Sequence, residues 1–138
     1  MGIHYEHFDH EADIGLRGCG SSLAEAFTAV ALALTAVITD PDSVSSKITI
    51  NIEIPPADTE LQLYDYINAI IFNMSSRKML FGAYQVQFEG GWLLATASGE
   101  PVDNEKHDPA VEVKGATMTE LAVYSRQGEW CAQCIVDV

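Results

Sequence analysis

The sequence predicts an α+β domain, a two-layer sandwich in which two main helices pack on one face of a mostly antiparallel sheet. Three observations lead there. Two long segments in the first half repeat their apolar residues every three or four positions, the second half is a run of short apolar segments separated by glycine-containing turns, and helices do not alternate with strands. No glycine-rich strand-to-helix loop is present, which excludes a doubly wound nucleotide-binding fold. At 138 residues the chain reads as a single domain spanning residues 1–138, long enough for one core and too short for two of ordinary size.

Taken in order, the first strands are expected at Ile3 to Phe8 and Ala12 to Gly18. The stretch SSLAEAFTAVALALTAVITD opens with a capping box, Ser22 to Glu25, and carries Leu23, Phe27, Val30, Leu34 and Val37 or Ile38 at helical spacing. In KITINIEI the isoleucines 48, 50, 52 and 54 alternate, as in a strand buried on one face, and IPPAD ends it. The second helix is expected from Thr59 to Arg77, capped by Asp58 or Thr59, with Leu61, Tyr64, Ile67, Ile71 and Met74 along its buried side. Strands then follow at Leu80 to Glu89, Trp92 to Ser98, Val111 to Thr117, Leu121 to Ser125 and Trp130 to Asp137, with turns at Gly90-Gly91 and Gln127-Gly128-Glu129.

The charge balance narrows the function. A formal net charge of -13 with seven basic residues, scattered along the chain, gives no cluster able to displace counterions from a phosphate backbone, so direct nucleic-acid binding is not expected. Acidity of this size steers a protein toward basic partners as well as keeping it soluble. The longest apolar run, Ala26 to Ile38, is shorter than the roughly 18 residues of a membrane span, so no membrane association is expected. The start MGIHYEHFDH has neither the basic nor the apolar region of a secretory signal, and Glu6 stands where a myristoylation signal needs Ser or Thr. Three cysteines, Cys19, Cys131 and Cys134, lack the spacing of a disulfide framework, and with the absence of a signal this points to a reducing cytoplasm. Cys131 and Cys134, three apart in a strand, face opposite ways and are not expected to share a metal or a redox role.

Candidate chemistry lies in the carboxylates. Asp13 stands between Ala12 and Ile14 in an apolar strand, Asp40 follows the first helix at the negative end of its dipole, and Asp137 ends the last strand. Singly, each is a turn residue or a surface charge; converging, they would repel one another, and a divalent cation with oxygen ligands, Ca, Mg or Mn, is the usual remedy. His4, His7 and His10 alternate faces in a strand and make a poor ligand set. His107 lies in the polar loop GEPVDNEKHDP with Glu100, Asp103 and Glu105, either a binding surface or a solvated turn. No GxSxG, HExxH or Walker loop supports an independent enzyme.

Four separated stretches in a fixed order, HEADIGLRGCGSSLAEAF, LQLYDYINAIIFNMSSRKMLF, GEPVDNEKHDPAVEVKGAT and the terminal DV, make the chain resemble the archease family nearly end to end. These are small acidic proteins that assist the RtcB-type RNA ligase. The resemblance implies an accessory protein without catalysis of its own. It would promote the reaction of the ligase's histidine with GTP, used by the partner and not by this chain, and allow multiple turnover in tRNA splicing or RNA repair. It also implies a divalent cation held by Asp13, Asp137 and Val138, with Asp40 as a fourth position, and a partner-facing loop and strand containing Glu100, Asp103, His107 and Lys114. The local sequence FDHEAD and the cysteines near the end depart from the family motif without touching the metal residues. The competing classes are a metal-binding, chaperone-like module with other protein clients and a small metal-dependent hydrolase using Asp13, Asp103 and His107.

Overall fold

The computed structural model describes residues 2–138. The elements run β1 (His4–His10), β2 (Asp13–Gly20), α1 (Leu23–Ile38), a short 3-10 helix (Pro41–Ser43), β3 (Ile48–Ile54), α2 (Thr59–Arg77), β4 (Met79–Glu89), β5 (Trp92–Pro101), α3 (Asn104–His107), β6 (Gly115–Arg126) and β7 (Glu129–Asp137). The α+β class holds, with two main helices packed against antiparallel strands. The strands, however, divide into two sheets where one was expected. One has the order β1-β2-β7-β6 and the other β3-β5-β4, and every pairing is antiparallel.

Helix α1 lies between these sheets, which explains why it is apolar almost all round. On one side the backbone of β2 comes so close that a Cβ on Gly18 would collide with the backbone of Val30 and Ala29. On the other side Phe27 meets Phe88 of β4 edge to face at 5.3 Å and stacks on Tyr66 of α2 at 5.9 Å. Thr35, fully buried, donates its hydroxyl to the Phe81 carbonyl at 2.7 Å and accepts from the Tyr84 hydroxyl at 2.7 Å, so the polar groups at this crossing are satisfied. The capping box reads correctly at Ser22, whose hydroxyl accepts from the Glu25 N–H at 3.1 Å; the Glu25 carboxylate reaches back one residue further, to Ser21.

Helix α2 has the expected bounds, but its buried stripe is Leu63, Tyr66, Ile67, Ile70, Ile71 and Met74, while Leu61 is exposed. The turned face is set by α2 packing against β6 as well as β3 and β4. The two strands expected at Val111 to Thr117 and Leu121 to Ser125 are one strand, β6. Its register on β7 jumps between Thr117↔Ile135 and Ala122↔Gln133, so that Met118 to Leu121 face only Cys134. That bulge leaves the ladder without ending the strand.

The cysteines require a correction. Cys19 of β2 and Cys131 of β7 are register partners with Cα atoms 4.2 Å apart and form a disulfide across 112 residues of sequence. Sequence spacing could not find it, because the pair is made by the adjacency of the second and last strands. Cys134 lies on the opposite face of β7, opposite Leu16, and its burial pushes the thiol up to about 12, leaving it protonated and inert.

Candidate metal centre

Asp13 is the first residue of β2. Glu11 and Ala12 form a two-residue hairpin turn, with Glu11 in the left-handed region at φ 53°, and Asp13 pairs with His10 just beyond it. The aspartate expected inside an apolar strand therefore sits at a half-buried strand end, where a charge reaches water. β2 pairs with β7 through Ile14↔Val136, and β6 pairs with β7 through Gly115↔Asp137. Continued one step beyond Ile14↔Val136, the same register sets Asp13 opposite Asp137.

Directly opposed strand positions place their Cβ atoms about 5 Å apart on one face. For Asp13 that face, shared with Gly15 and Arg17, is the one turned away from α1, since Gly18 of the other parity touches the helix. The Lys114 N–H donates to the Asp137 carbonyl at 2.7 Å, which fixes the end of β7 and leaves the Lys114 side chain exposed. Val138 follows directly and is partly buried. Asp40 lies just past the end of α1 and caps the 3-10 helix, its Oδ1 accepting from the Asp42 N–H at 2.9 Å. Its carboxylate thus has a local partner already.

The structure adds two residues that sequence reasoning left out of this set. The β6 bulge swings Glu120, with φ 52°, so that its carboxylate lies 3.3 Å from His10 Nε2. His10 is therefore flanked by Asp13 in register and by Glu120 from the bulge. No local motif announces Glu120, because only the slip in register brings it over the sheet. Asp13, Asp137 and the main chain of Val138 offer only oxygen donors, a chemistry that would suit a hard divalent cation, Ca, Mg or Mn, and not zinc.

The residues of the polar loop form a different structure. Glu100 and His107 are each only 3% exposed. Glu100 takes Lys106 Nζ at 2.7 Å, the Ser45 N–H at 2.8 Å and His107 Nε2 at 2.9 Å, with Lys47 Nζ at 3.4 Å. The Lys106 ammonium first, then the Ser45 N–H and His107, hold its carboxyl well below the usual carboxylate range. The tautomer of His107 follows from its other side. Its Nδ1 accepts from the Asp103 N–H at 2.9 Å, so Nε2 carries the proton and donates to Glu100.

The Asp103 carboxylate caps α3 by accepting from the Glu105 and Lys106 N–H groups. Burial leaves the Glu100 and His107 side chains little surface to offer a partner, whereas Asp103 and Lys114 of the same candidate set are exposed. Both imidazole nitrogens are engaged within the fold, so the arrangement of Asp13, Asp103 and His107 as a hydrolytic set is lost. What the network does is anchor the loop: Thr39 Oγ1 donates to the His107 carbonyl at 2.5 Å and the Ala110 N–H to the Ile38 carbonyl at 2.8 Å. The loop is thereby tied to the end of α1 and leads directly to Lys114 beside Asp137.

These features define a class: a small acidic α+β domain with helices between two antiparallel sheets and aspartates at the ends of the two central strands of the first. Known proteins match it over nearly their whole length. The model of the archease protein family (MTH1598/TM1083) matches residues 5–138. The protein archease of Pyrococcus furiosus is 38% identical, covering 97% of this chain and 98% of its own, and that of Methanosarcina mazei is 31% identical over 100% and 98%. Among solved structures, protein 1598 of Methanobacterium thermoautotrophicum superposes with a TM-score of 0.80 at 29% identity, covering 97% of this chain and 98% of that one. A Thermotoga maritima protein described as an archease and possible chaperone shares the fold, with a TM-score of 0.61 at 16% identity and coverage of 95% and 94%. The chain belongs to the archease family.

Proposed function

We propose that this protein is an accessory factor of an RtcB-type RNA ligase, promoting guanylylation of the ligase by GTP and multiple turnover in tRNA splicing or RNA repair in the cytoplasm. Membership of the archease family over residues 5–138 carries the proposal, and the β2–β7 register, which runs to Ile14↔Val136 beside Asp13 and Asp137, supports a site there. A divalent cation at Asp13, Asp137 and Val138, with Asp40 close to the same end, would offset charges that otherwise repel. The chain's own residues supply the rest. Glu100, His107 and Lys106 hold the loop that delivers Lys114 to Asp137, and the Glu120 bulge closes over His10 beside Asp13.

The net charge of -13 favours docking on a basic protein, and the ligase rather than this chain then holds the RNA. Such a helper needs only to bind one conformation of the ligase more tightly than another to shift its population. The test is ligase turnover under excess RNA with GTP and Mn, with and without this protein. Wild type is expected to restore multiple turnover, and Asp13→Ala, checked for folding, to fail. A folded wild-type protein that leaves turnover unchanged overturns the proposal and favours a metal-binding module with other clients.

A further inference from the structure

At the far end of β2 and β7 from the two aspartates, the same sheet gathers a second set of metal-ligating side chains of a different chemistry. His4 is the register partner of Cys19, and Cys19 that of Cys131, so three side chains stand in a row across β1, β2 and β7 on one face. Glu129, two residues before Cys131 on the same strand, shares that face. His4 Nε2 lies 3.0 and 3.2 Å from the two Glu129 carboxylate oxygens, and Cys131 Sγ lies 4.0 Å from Glu129 Oε1. The ligand atoms of His4, Cys19 and Glu129 all fall within 4.8 Å of one another.

These separations lie within reach of a tetrahedron, some shorter and some longer than its edges. Bond lengths of about 2.3 Å to sulfur and about 2.0 to 2.1 Å to nitrogen and oxygen imply ligand-to-ligand edges of about 3.3 to 3.8 Å around zinc. Small side-chain rotations span the difference. Access is also graded: both cysteines are fully buried, the Glu129 side chain is 12% exposed and that of His4 is 51% exposed, so the imidazole is the outer ligand, beside the entry path.

We propose that His4, Cys19, Cys131 and Glu129 form a second, redox-gated metal site that takes one thiophilic divalent cation, zinc by its donor set, when the Cys19–Cys131 disulfide is reduced. In the oxidised form the two sulfurs are bonded to each other and neither is a thiolate. A dithiol reductant opens the site: it gives two electrons and two protons, its own disulfide forms, the Cys19–Cys131 bond breaks and two thiols result. Metal binding then releases the two thiol protons to solvent, while His4 binds through its neutral Nε2 and Glu129 as the carboxylate. Disulfide and metal are alternative clasps on the same two strands. Each pins the β2–β7 register six residues, about 20 Å, from Asp13 and Asp137. The sulfur-rich site and the all-oxygen site select different metals.

The experiment is a cobalt titration of the full chain, reduced by a phosphine and desalted without oxygen, followed by zinc. One equivalent of Co is expected to produce a thiolate-to-metal charge-transfer band and tetrahedral visible bands, both bleached by zinc and both absent in the oxidised protein. Cys19→Ser should cut the charge-transfer band per bound Co to half or less, whereas Cys134→Ser and Asp13→Asn should keep it. His4→Gln changes an exposed side chain, so it leaves the fold intact, and it should weaken metal binding by more than about tenfold. A reduced wild type without the band, a band of undiminished intensity in Cys19→Ser, a band that vanishes in Cys134→Ser, or unchanged affinity in His4→Gln would each overturn the site.

Discussion

Glu100 shows what one buried carboxylate contributes. Its carboxyl is held low in the folded protein by Lys106, the Ser45 N–H and His107, so the unfolded chain binds a proton at higher pH than the folded one. The stabilisation is therefore complete above the ordinary glutamate value of about 4.3 and is lost as pH falls below it toward the folded value. Urea midpoints measured down through that window should fall for the wild type and fall less steeply for Glu100→Gln; parallel slopes would refute the assignment. Tyr66 makes the opposite case. Its hydroxyl is buried with no hydrogen-bond partner among the described residues, and burial pushes its pKa well above the ordinary value. Tyr66→Phe should leave stability unchanged or raise it by up to about 1 kcal/mol in urea unfolding. A larger loss would mean that the hydroxyl is satisfied. The state of Glu100 was not legible in the sequence: it lies in a stretch as polar as any solvated turn, and although Lys106 and His107 belong to that stretch, Ser45 and Lys47 reach it from elsewhere in the fold.

At the scale of elements, local chemistry and tertiary packing contribute separately. Ser22 is a cap written in the sequence, and Ser22→Ala should cost about 1 kcal/mol, read as a lower thermal midpoint with the fold retained. Gly18 matters for another reason, the contact of β2 with α1. A methyl there meets the Val30 backbone, which cannot rotate away, so Gly18→Ala should destabilise by at least about 1–3 kcal/mol; near-wild-type stability would show that the helix can shift. The spacing of Phe27, Val30, Leu34 and Ile38 foretold a helix, yet not that both sheets would cover it. Likewise the break expected between Thr117 and Leu121 falls where the bulge lies, yet nothing local showed that one strand runs through it, because the register slip arises from pairing with β7.

For the whole molecule, the decisive feature is that the beginning and end of the chain meet in one sheet. On the proposed metal site, a cation held by Asp13 and Asp137 should stabilise the fold. At a concentration of Ca or Mn about 100-fold above its dissociation constant, the gain is about 2.7 kcal/mol. A thermal shift that disappears in Asp13→Asn and in Asp137→Asn, and is reversed by a chelator, is the expected result. A shift that survives both substitutions would place the cation elsewhere. The charge of -13 also makes association with a basic partner salt-sensitive, so the on-rate should fall as ionic strength rises.

The sequence by itself determined the α+β class, both main helices and the Ser22 cap of the first, most strand positions and the opposite facing of Cys131 and Cys134. Each rests on local periodicity, on capping or on the twofold alternation of a strand, all of which act within a few residues. The residues themselves marked Asp13, Asp40 and Asp137 as candidates, and the resemblance of four motifs implied that they share a cation with Val138; nothing local could bring them together. Tertiary structure alone decided the division into two sheets, the burial of Glu100 and His107, the arrival of Glu120 beside His10 and the meeting of Cys19 with Cys131. Those are facts of strand order and register, fixed when residues more than a hundred positions apart pair to bury a shared core.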